Sequence, residues 1–119
     1  MPQYLLLLHS KPADDVALSP AEMMELIGRY KAWSAQMAQQ GRLAGGEKLT
    51  DDGGRVLRLQ GGTPVATDGP YAEAQDVVGG YFLINADDDA QAVALASTCP
   101  HLHGRHWIEV RRIDPMTGG

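Results

Sequence analysis

The first apolar stretch of the chain, residues 3–9, contains Tyr4 and four consecutive leucines and does not alternate with polar residues. A strand of this kind is buried on both faces, so the pattern predicts a central strand with His9 at its C-terminal end. Residues 79–86 instead alternate, with Phe82 and Ile84 on one side and Tyr81 and Leu83 on the other, which predicts a second strand.

The first predicted helix runs from Pro20 to about Gln40. Ser19 and Glu22 have the spacing of a capping box, and proline at the first helical position favours helix initiation. Apolar residues then recur every three or four positions and predict one stripe that faces the sheet. The stripe consists of Met23, Ile27, Tyr30, Trp33 and Met37. Gly28, inside the helix, suggests close packing at that point.

The remaining segments complete the order strand, helix, strands, strand, helix, strand. Residues 42–49 are extended, and residues 55–67 form either a hairpin or one strand interrupted by a bulge. Asp87-Asp88-Asp89 opens a second helix that ends at Cys99-Pro100, and residues 106–113 form the last strand. The small-residue face of the second helix is predicted to approach the sheet, and it consists of Ala90, Val93, Ala94 and Ser97. The tail from about residue 114 is predicted to fray.

This order predicts an α+β fold in one domain, residues 1–119, with two helices on one face of a ferredoxin-like antiparallel sheet. The other face of such a sheet has no helix on it. In the last strand, Trp107, Glu109 and Arg111 are predicted to point to this open face. Because an exposed tryptophan there is unfavourable, a second subunit or a ligand is expected to cover it.

The charge and cysteine content exclude several classes of partner. A net charge of −5 and scattered basic residues argue against nucleic-acid and membrane-surface binding. The leucine run is too short for a signal peptide or a membrane span. The single cysteine, Cys99, excludes an intrachain disulfide and favours a reducing compartment, so the predicted location is the cytoplasm.

The stretch Asp68-Gly69-Pro70-Tyr71-Ala72-Glu73 combines stiff turn residues with two carboxylates. We predict that Asp68 and Glu73, together with His9, provide acid–base groups, since a histidine and a carboxylate can exchange protons near neutral pH. Two other interpretations stay open. Asp68 could accept backbone hydrogen bonds in its own turn, and His9 could be a hydrogen-bonded residue at a strand end.

The chain resembles the YCII-related proteins, and in particular the DGPF subgroup. The resemblance rests on the order of several motifs along nearly the whole chain: Gly46-Glu47-Lys48-Leu49, the stretch 65–73, Gly79-Gly80-Tyr81-Phe82, Cys99-Pro100, and Ile108-Glu109-Val110-Arg111. It implies a ferredoxin-like dimer of the α/β-barrel type. It also implies a pocket in which a histidine and an aspartate meet, in a family without a settled biochemical function. Some relatives accompany extracytoplasmic-function sigma factors.

The resemblance also suggests which residues line the pocket. It places Arg58, Trp107, Glu109 and Arg111 on the covered sheet face, where they would bind a small polar or anionic ligand or else form an ion-pair network between strands. Tyr71 joins this ligand-binding set, and it stands where the family has phenylalanine. Gln75 stands where the family has lysine, which puts in doubt any mechanism that needs that positive charge.

A histidine-rich loop after Cys99 contains three weak candidate metal ligands, His101, His103 and His106. Their spacing matches no standard zinc pattern, and no second cluster completes a closed site, so no metal is predicted. The sequence shows no cofactor motif.

The leading functional prediction is a homodimer that binds a small molecule and performs acid–base chemistry with His9 and a carboxylate. The alternative classes are a non-catalytic ligand-binding or accessory protein linked to transcriptional regulation, and a purely structural dimer module. The sequence does not decide whether the protein is an enzyme.

Overall fold

The structure is a computed structural model of the chain, and it describes residues 1–11, 17–50, 52–68 and 76–115. It contains six strands and two helices in this part of the chain. In chain order they are β1 (Gln3–Ser10), α1 (Pro20–Gln39), β2 (Leu43–Lys48), β3 (Arg55–Gln60), β4 (Thr63–Asp68), β5 (Val77–Asn85), α2 (Asp89–Ala96) and β6 (Trp107–Arg112).

Four of the strands form one antiparallel sheet in the order β2-β5-β1-β6. The strand rich in leucine, β1, therefore has a neighbour on each side, which confirms that it is central. The two long connections, which contain α1 and α2, lead to a mixed α+β architecture that is consistent with a ferredoxin-like fold. Among the described residues, no helix combines the length and apolar character needed to cross a bilayer.

The start of α1 follows the sequence prediction. The Ser19 hydroxyl accepts a hydrogen bond from the Glu22 N–H at 3.1 Å, and the Glu22 carboxylate accepts one from the Ser19 N–H at 3.0 Å. Only the C-terminal half of the predicted apolar stripe is buried, however. Trp33 and Met37 are buried, whereas Met23 and Ile27 are each 45% exposed, because the first half of the helix packs less closely on the sheet than the second half.

The close packing predicted at Gly28 is also absent, since a Cβ at this position would have no atom within 4 Å. In α2 the predicted face was wrong. Ala92 and Ala96 are the buried residues, whereas Val93 points to solvent, because the helix is rotated relative to the predicted small-residue face.

The core lies between the sheet and the two helices. Trp33 and Met37 of α1 and the two buried alanines of α2 pack on one face of the sheet. The sheet contributes residues at alternate positions to this face, and they are Tyr4, Leu6, Phe82, Ile84, Ile108 and Val110. The assignment of Ile108 and Val110 to the helix-covered face is thus confirmed.

Strands β3 and β4 form a separate two-stranded sheet, so residues 55–68 are a hairpin rather than one interrupted strand. Gly61 and Gly62 make its two-residue turn with φ angles of 59° and 82°, values that glycine adopts readily. The chain measures 48 × 44 × 18 Å, and its radius of gyration is 16.2 Å. A compact chain of this length would have a radius of about 13.5 Å, so the molecule is flat and extended.

Candidate functional site

The face of the sheet opposite the helices holds the residues of the candidate site. Residues directly opposite each other in an antiparallel pair share a face, and β1 pairs Leu5 with Arg111, Leu7 with Glu109 and His9 with Trp107. These side chains alternate with the core residues of the same strands. The structure thus brings His9 to the row formed by Trp107, Glu109 and Arg111, as the sequence predicted for the three β6 residues.

His9 contacts β6 in two ways. Its ring stacks on Trp107, with the ring centroids 5.2 Å apart and the planes 7° from parallel. Its Nε2 lies 3.0 Å from Oε1 of Glu109. Glu109 reaches the histidine because it lies two positions along β6 from Trp107, and therefore on the same face of the strand.

The second ring nitrogen of His9 contacts Asp76, whose Oδ1 lies 2.6 Å from Nδ1. Asp76 immediately precedes β5, and β5 runs antiparallel to β1, with Ser10 opposite Val77. The start of β5 therefore lies beside the end of β1. The histidine is buried, whereas the side chains of Asp76 and Glu109 are 49% and 40% exposed, so the group is accessible from the open face.

The charges around Glu109 define the hydrogen-bond donors. Its other carboxylate oxygen, Oε2, accepts a hydrogen bond from Nη1 of Arg111 at 3.1 Å. The hydrogen bond from Arg111, and after it the contact with His9, lower the pKa of the Glu109 carboxyl below its usual value. Glu109 is then an acceptor at neutral pH, and Nε2 of His9 must donate. Asp76 lies at Nδ1 on the other side of the ring, so each ring nitrogen of His9 faces a carboxylate side chain.

A second buried histidine, His101, makes a hydrogen bond to the backbone of His9. Nε2 of His101 donates to the carbonyl oxygen of His9 at 2.8 Å. Burial lowers the pKa of His101, so the neutral ring is favoured, and its Nδ1 accepts a hydrogen bond from the Tyr30 hydroxyl at 3.0 Å. Burial raises the pKa of Tyr30 to about 12, which keeps this hydroxyl protonated. Helix α1 and the loop after α2 are in this way connected to the end of β1.

The other predicted acid–base residues lie elsewhere or outside the described residues. Asp68 is the last residue of β4; its side chain is 93% exposed, and its Oδ1 lies 3.6 Å from Nε of Arg55. Within the described part of the chain, the ring nitrogens of His9 contact Asp76 and Glu109, and not Asp68. Glu73 and Tyr71 belong to residues 69–75, which are outside the described part of the chain.

Arg58 lies on β3 of the hairpin with an exposed side chain, and not in the row beside His9. The catalytic and ligand-binding roles predicted for this arginine and for the residues of the Asp-Gly-Pro stretch therefore stay predictions.

The histidine loop is held together by its own contacts. His103 and His106 approach each other to 3.1 Å between Nε2 and Nδ1, and the His106 ring stacks on His101 at 4.9 Å. Both ring nitrogens of His101 are engaged, by Tyr30 and by His9. Within the described ranges, no group of three or more histidine, cysteine, aspartate or glutamate side chains is arranged to hold a metal ion.

A shallow cavity of about 380 Å³ lies at a different place, between α1 and β2. Its lining contains no titratable side chain and consists of Ser34, Leu43, Ala44, Gly45, Gly46 and Phe82. It provides no group for proton transfer, so the row around His9 remains the place where the described residues concentrate chemistry.

The sequence alone does not indicate the position of Asp76, the hydroxyl contact of Tyr30 or the supporting role of His101. Asp76 precedes the predicted strand at residues 79–86, and no local pattern distinguishes it from the other acidic residues. The signal that identifies it is topological: once β5 is paired antiparallel with β1, the residue before β5 must lie near the residue at the end of β1. Tyr30 was assigned to the core stripe, and only its distance to His101 reveals its hydroxyl contact.

Comparison with known families gives a match over almost the whole chain. Residues 3–117 match the YCII-related domain. The chain belongs to the YCII-related family. A search of curated proteins gave no match.

Proposed function

We propose that this YCII-related protein is a homodimer of the DGPF subgroup that binds a small polar or anionic molecule on its open sheet face and transfers protons through His9. The observation that supports the chemistry is the position of His9 between two carboxylates, with Asp76 on Nδ1 and Glu109 on Nε2. The subgroup assignment rests on the sequence Asp68 to Glu73, and a cytoplasmic location rests on the single buried thiol of Cys99.

The roles of the three residues follow from their contacts. Asp76 is held at 2.6 Å from Nδ1, so it orients the imidazole ring. Glu109 lies at Nε2 and has Arg111 as its other partner. A bound molecule that displaces Glu109 from His9 would receive the Nε2 proton or return one to it, which is general acid–base chemistry.

The dimer is proposed from the same face. Its apolar side chains are only partly buried in one chain, and they are Leu5, Leu7, Tyr81, Leu83 and Trp107. Packing two such faces together, in the manner of the α/β-barrel dimer, would remove them from water and enclose the His9 row between two sheets. Sedimentation at micromolar concentration is then expected to give twice the chain mass of 12.8 kDa.

A non-catalytic ligand-binding or accessory protein is the second proposal, and one observation favours it. Both nitrogens of His9 are engaged by carboxylates, so the ring can act as a fixed contact for a ligand without exchanging protons. An accessory role beside a sigma factor would belong to this class.

The experiment that separates the two proposals does not require a known substrate. A library of small carboxylic acids, ketoacids and amides is first screened for binding by ligand-observed NMR. Compounds that bind are then incubated in D₂O, and exchange of their carbon-bound hydrogens is followed by mass spectrometry. The variants are His9→Asn and Asp76→Asn, with Asp68→Asn as the matched carboxylate variant that lies outside the His9 contacts.

An acid–base catalyst is expected to introduce deuterium into at least one bound compound, and His9→Asn and Asp76→Asn should abolish this exchange. Binding that depends on His9 without any exchange would favour the non-catalytic proposal. Loss of exchange in Asp68→Asn but not in Asp76→Asn would instead restore the carboxylate that the sequence predicted.

A further inference from the structure

The hairpin formed by β3 and β4 presents an apolar face that the rest of the described chain leaves exposed. Its register places Leu57 opposite Ala66 and Leu59 opposite Pro64, so these four side chains lie on the same face. The two leucines are 67% and 71% exposed, which is unusual for adjacent large apolar residues on one side of a strand pair.

An isolated hairpin of this kind needs a partner surface. Two strands alone are at best marginally stable in water, and their unpaired edges favour association with other chains. The hairpin is separate from the four-stranded sheet, and the radius of gyration of 16.2 Å exceeds the value of about 13.5 Å for a compact chain of this length. The strand pair is therefore a projecting element whose apolar face is available to another molecule.

The charge of the hairpin favours an acidic occupant. Its residues 55–68 include two arginines, Arg55 and Arg58, and one aspartate, Asp68, whereas the whole chain has a net charge of −5. The chain outside the hairpin therefore carries a clear negative charge, whereas the hairpin itself is weakly positive. A second copy of the chain would thus offer the hairpin a surface of opposite charge.

The area of the open sheet face also favours a second copy of this chain as the binding partner of the hairpin. Four strands of about six residues have a projected area of roughly 400 Å², whereas a stable interface commonly removes about 800 Å² from each partner. One face of the hairpin adds roughly 200 Å², because it has half as many strands of the same length. A dimer that uses both surfaces is closer to the area that a stable complex requires.

We propose that the hairpin is an exchanged arm, which lays the face with Leu57, Leu59, Pro64 and Ala66 against a second copy of this chain at the rim of its open sheet face. Two-fold symmetry then buries two arms in each dimer. This inference rests on the dimer proposed above and adds the element that contacts the partner chain. Each hairpin would also lie beside the row around His9 of the other chain and help to enclose it.

The test measures self-association of the full chain by sedimentation equilibrium. The arm variant is Leu57→Asp/Leu59→Asp. The matched control is Met24→Asp/Val93→Asp, which also places two acids at exposed apolar positions but on the two helices. Loss of four buried leucines per dimer is expected to raise the dissociation constant at least about 100-fold in the arm variant. The control is expected to stay within about threefold of the wild type, since surface substitutions have small effects. Circular dichroism checks that all variants are folded.

Three results would overturn the proposal, and they distinguish its parts. A dimer that the arm variant leaves unchanged rules out the exchanged arm and keeps the dimer. An equal increase of the dissociation constant in the arm variant and in the control would show a general effect of charge rather than a specific contact of the hairpin. A wild-type chain that is monomeric at micromolar concentration contradicts the proposed dimer and the arm together.

A photo-crosslinking experiment locates the contact directly. Leu57→p-benzoylphenylalanine is prepared in unlabelled chains, which are mixed with ¹⁵N-labelled wild-type chains and irradiated. Crosslinks from the unlabelled arm to labelled peptides of the sheet face support the exchange. Crosslinks found only within one chain, or only to another surface of the second chain, contradict it.

Discussion

The contact between Tyr30 and His101 gives the most quantitative test of how the site is held together. The Tyr30 hydroxyl donates to Nδ1 of His101 at 3.0 Å, and Nε2 of His101 donates to the carbonyl oxygen of His9 at 2.8 Å. His101 is 7% exposed, so water does not readily replace a lost partner. We therefore expect substitutions at these two positions to be strongly coupled.

The expected magnitudes follow from the groups that lose a partner. Tyr30→Phe leaves one buried acceptor unsatisfied and should cost about 1–2 kcal/mol of unfolding free energy. His101→Leu leaves both the His9 carbonyl and the Tyr30 hydroxyl without their partner, and should cost about 2–4 kcal/mol. In the double variant the orphaned hydroxyl is absent, so the cost should fall short of the sum by about 1 kcal/mol.

The assay is urea unfolding followed by tryptophan fluorescence, at one fixed protein concentration because the proposed dimer would make apparent stability depend on concentration. Met24→Leu is the control, since the Met24 side chain on α1 is 74% exposed, and its effect on the free energy of unfolding should stay below about 0.5 kcal/mol. Costs for Tyr30→Phe and His101→Leu that add within about 0.3 kcal/mol would refute the hydrogen bond between them.

Three further predictions concern pH, glycine packing and helix capping. Burial lowers the pKa of His101 below its ordinary value of 6.5, so below that pH the unfolded chain binds a proton that the folded chain resists. Stability should therefore fall as the pH drops from about 6.5, and His101→Gln should show a shallower fall in thermal unfolding scans; parallel curves would contradict this. Gly80→Ala should destabilise by about 1–3 kcal/mol, because the new Cβ would lie 2.9 Å from a backbone carbonyl oxygen, whereas Gly28→Ala, with nothing within 4 Å, should stabilise by about 1 kcal/mol. Ser19→Ala should cost about 1 kcal/mol in urea unfolding through loss of the helix cap, and no measurable change would show that the cap is replaced by solvent.

The fold was predictable from the sequence where local patterns determine structure. The leucine run placed β1 at the centre of the sheet, and the Ser19 to Glu22 spacing located the start of α1. The orientation of the helices was less predictable. Met23 belongs to the apolar stripe of α1 and is still exposed, because periodicity shows which residues share a face but not how far the sheet extends beneath them.

The candidate site was predictable only in part, because it is assembled from residues distant along the chain. His9, Trp107 and Glu109 could be proposed from strand ends and alternation, and the structure brings them into contact. Asp76 could not be chosen over Asp68 without the strand order. Asp68 ends β4 and Asp76 immediately precedes β5, but of these two strands only β5 is paired with β1.

The hairpin illustrates a second limit. Residues 55–67 were open to two interpretations, since Gly61-Gly62 is compatible with a bulge and with a two-residue turn. The antiparallel pairing of Leu57 with Ala66 shows that this segment is a hairpin. Its separation from the main sheet has no local signal, because nothing in the alternation of β3 and β4 indicates which other strands they join.

The central claim is that small molecules bind on the open sheet face around His9, and the two tryptophans of the chain provide a direct test. Trp107 stacks on His9, whereas Trp33 is buried in the core, where its indole N–H donates to the Thr98 hydroxyl at 2.8 Å. The two indole N–H signals are followed by ¹H–¹⁵N NMR while each compound that binds is titrated into the protein. We expect binding to shift the Trp107 signal and the ring signals of His9 while Trp33 stays unchanged. Compounds that bind but leave Trp107 and His9 unshifted would contradict the account.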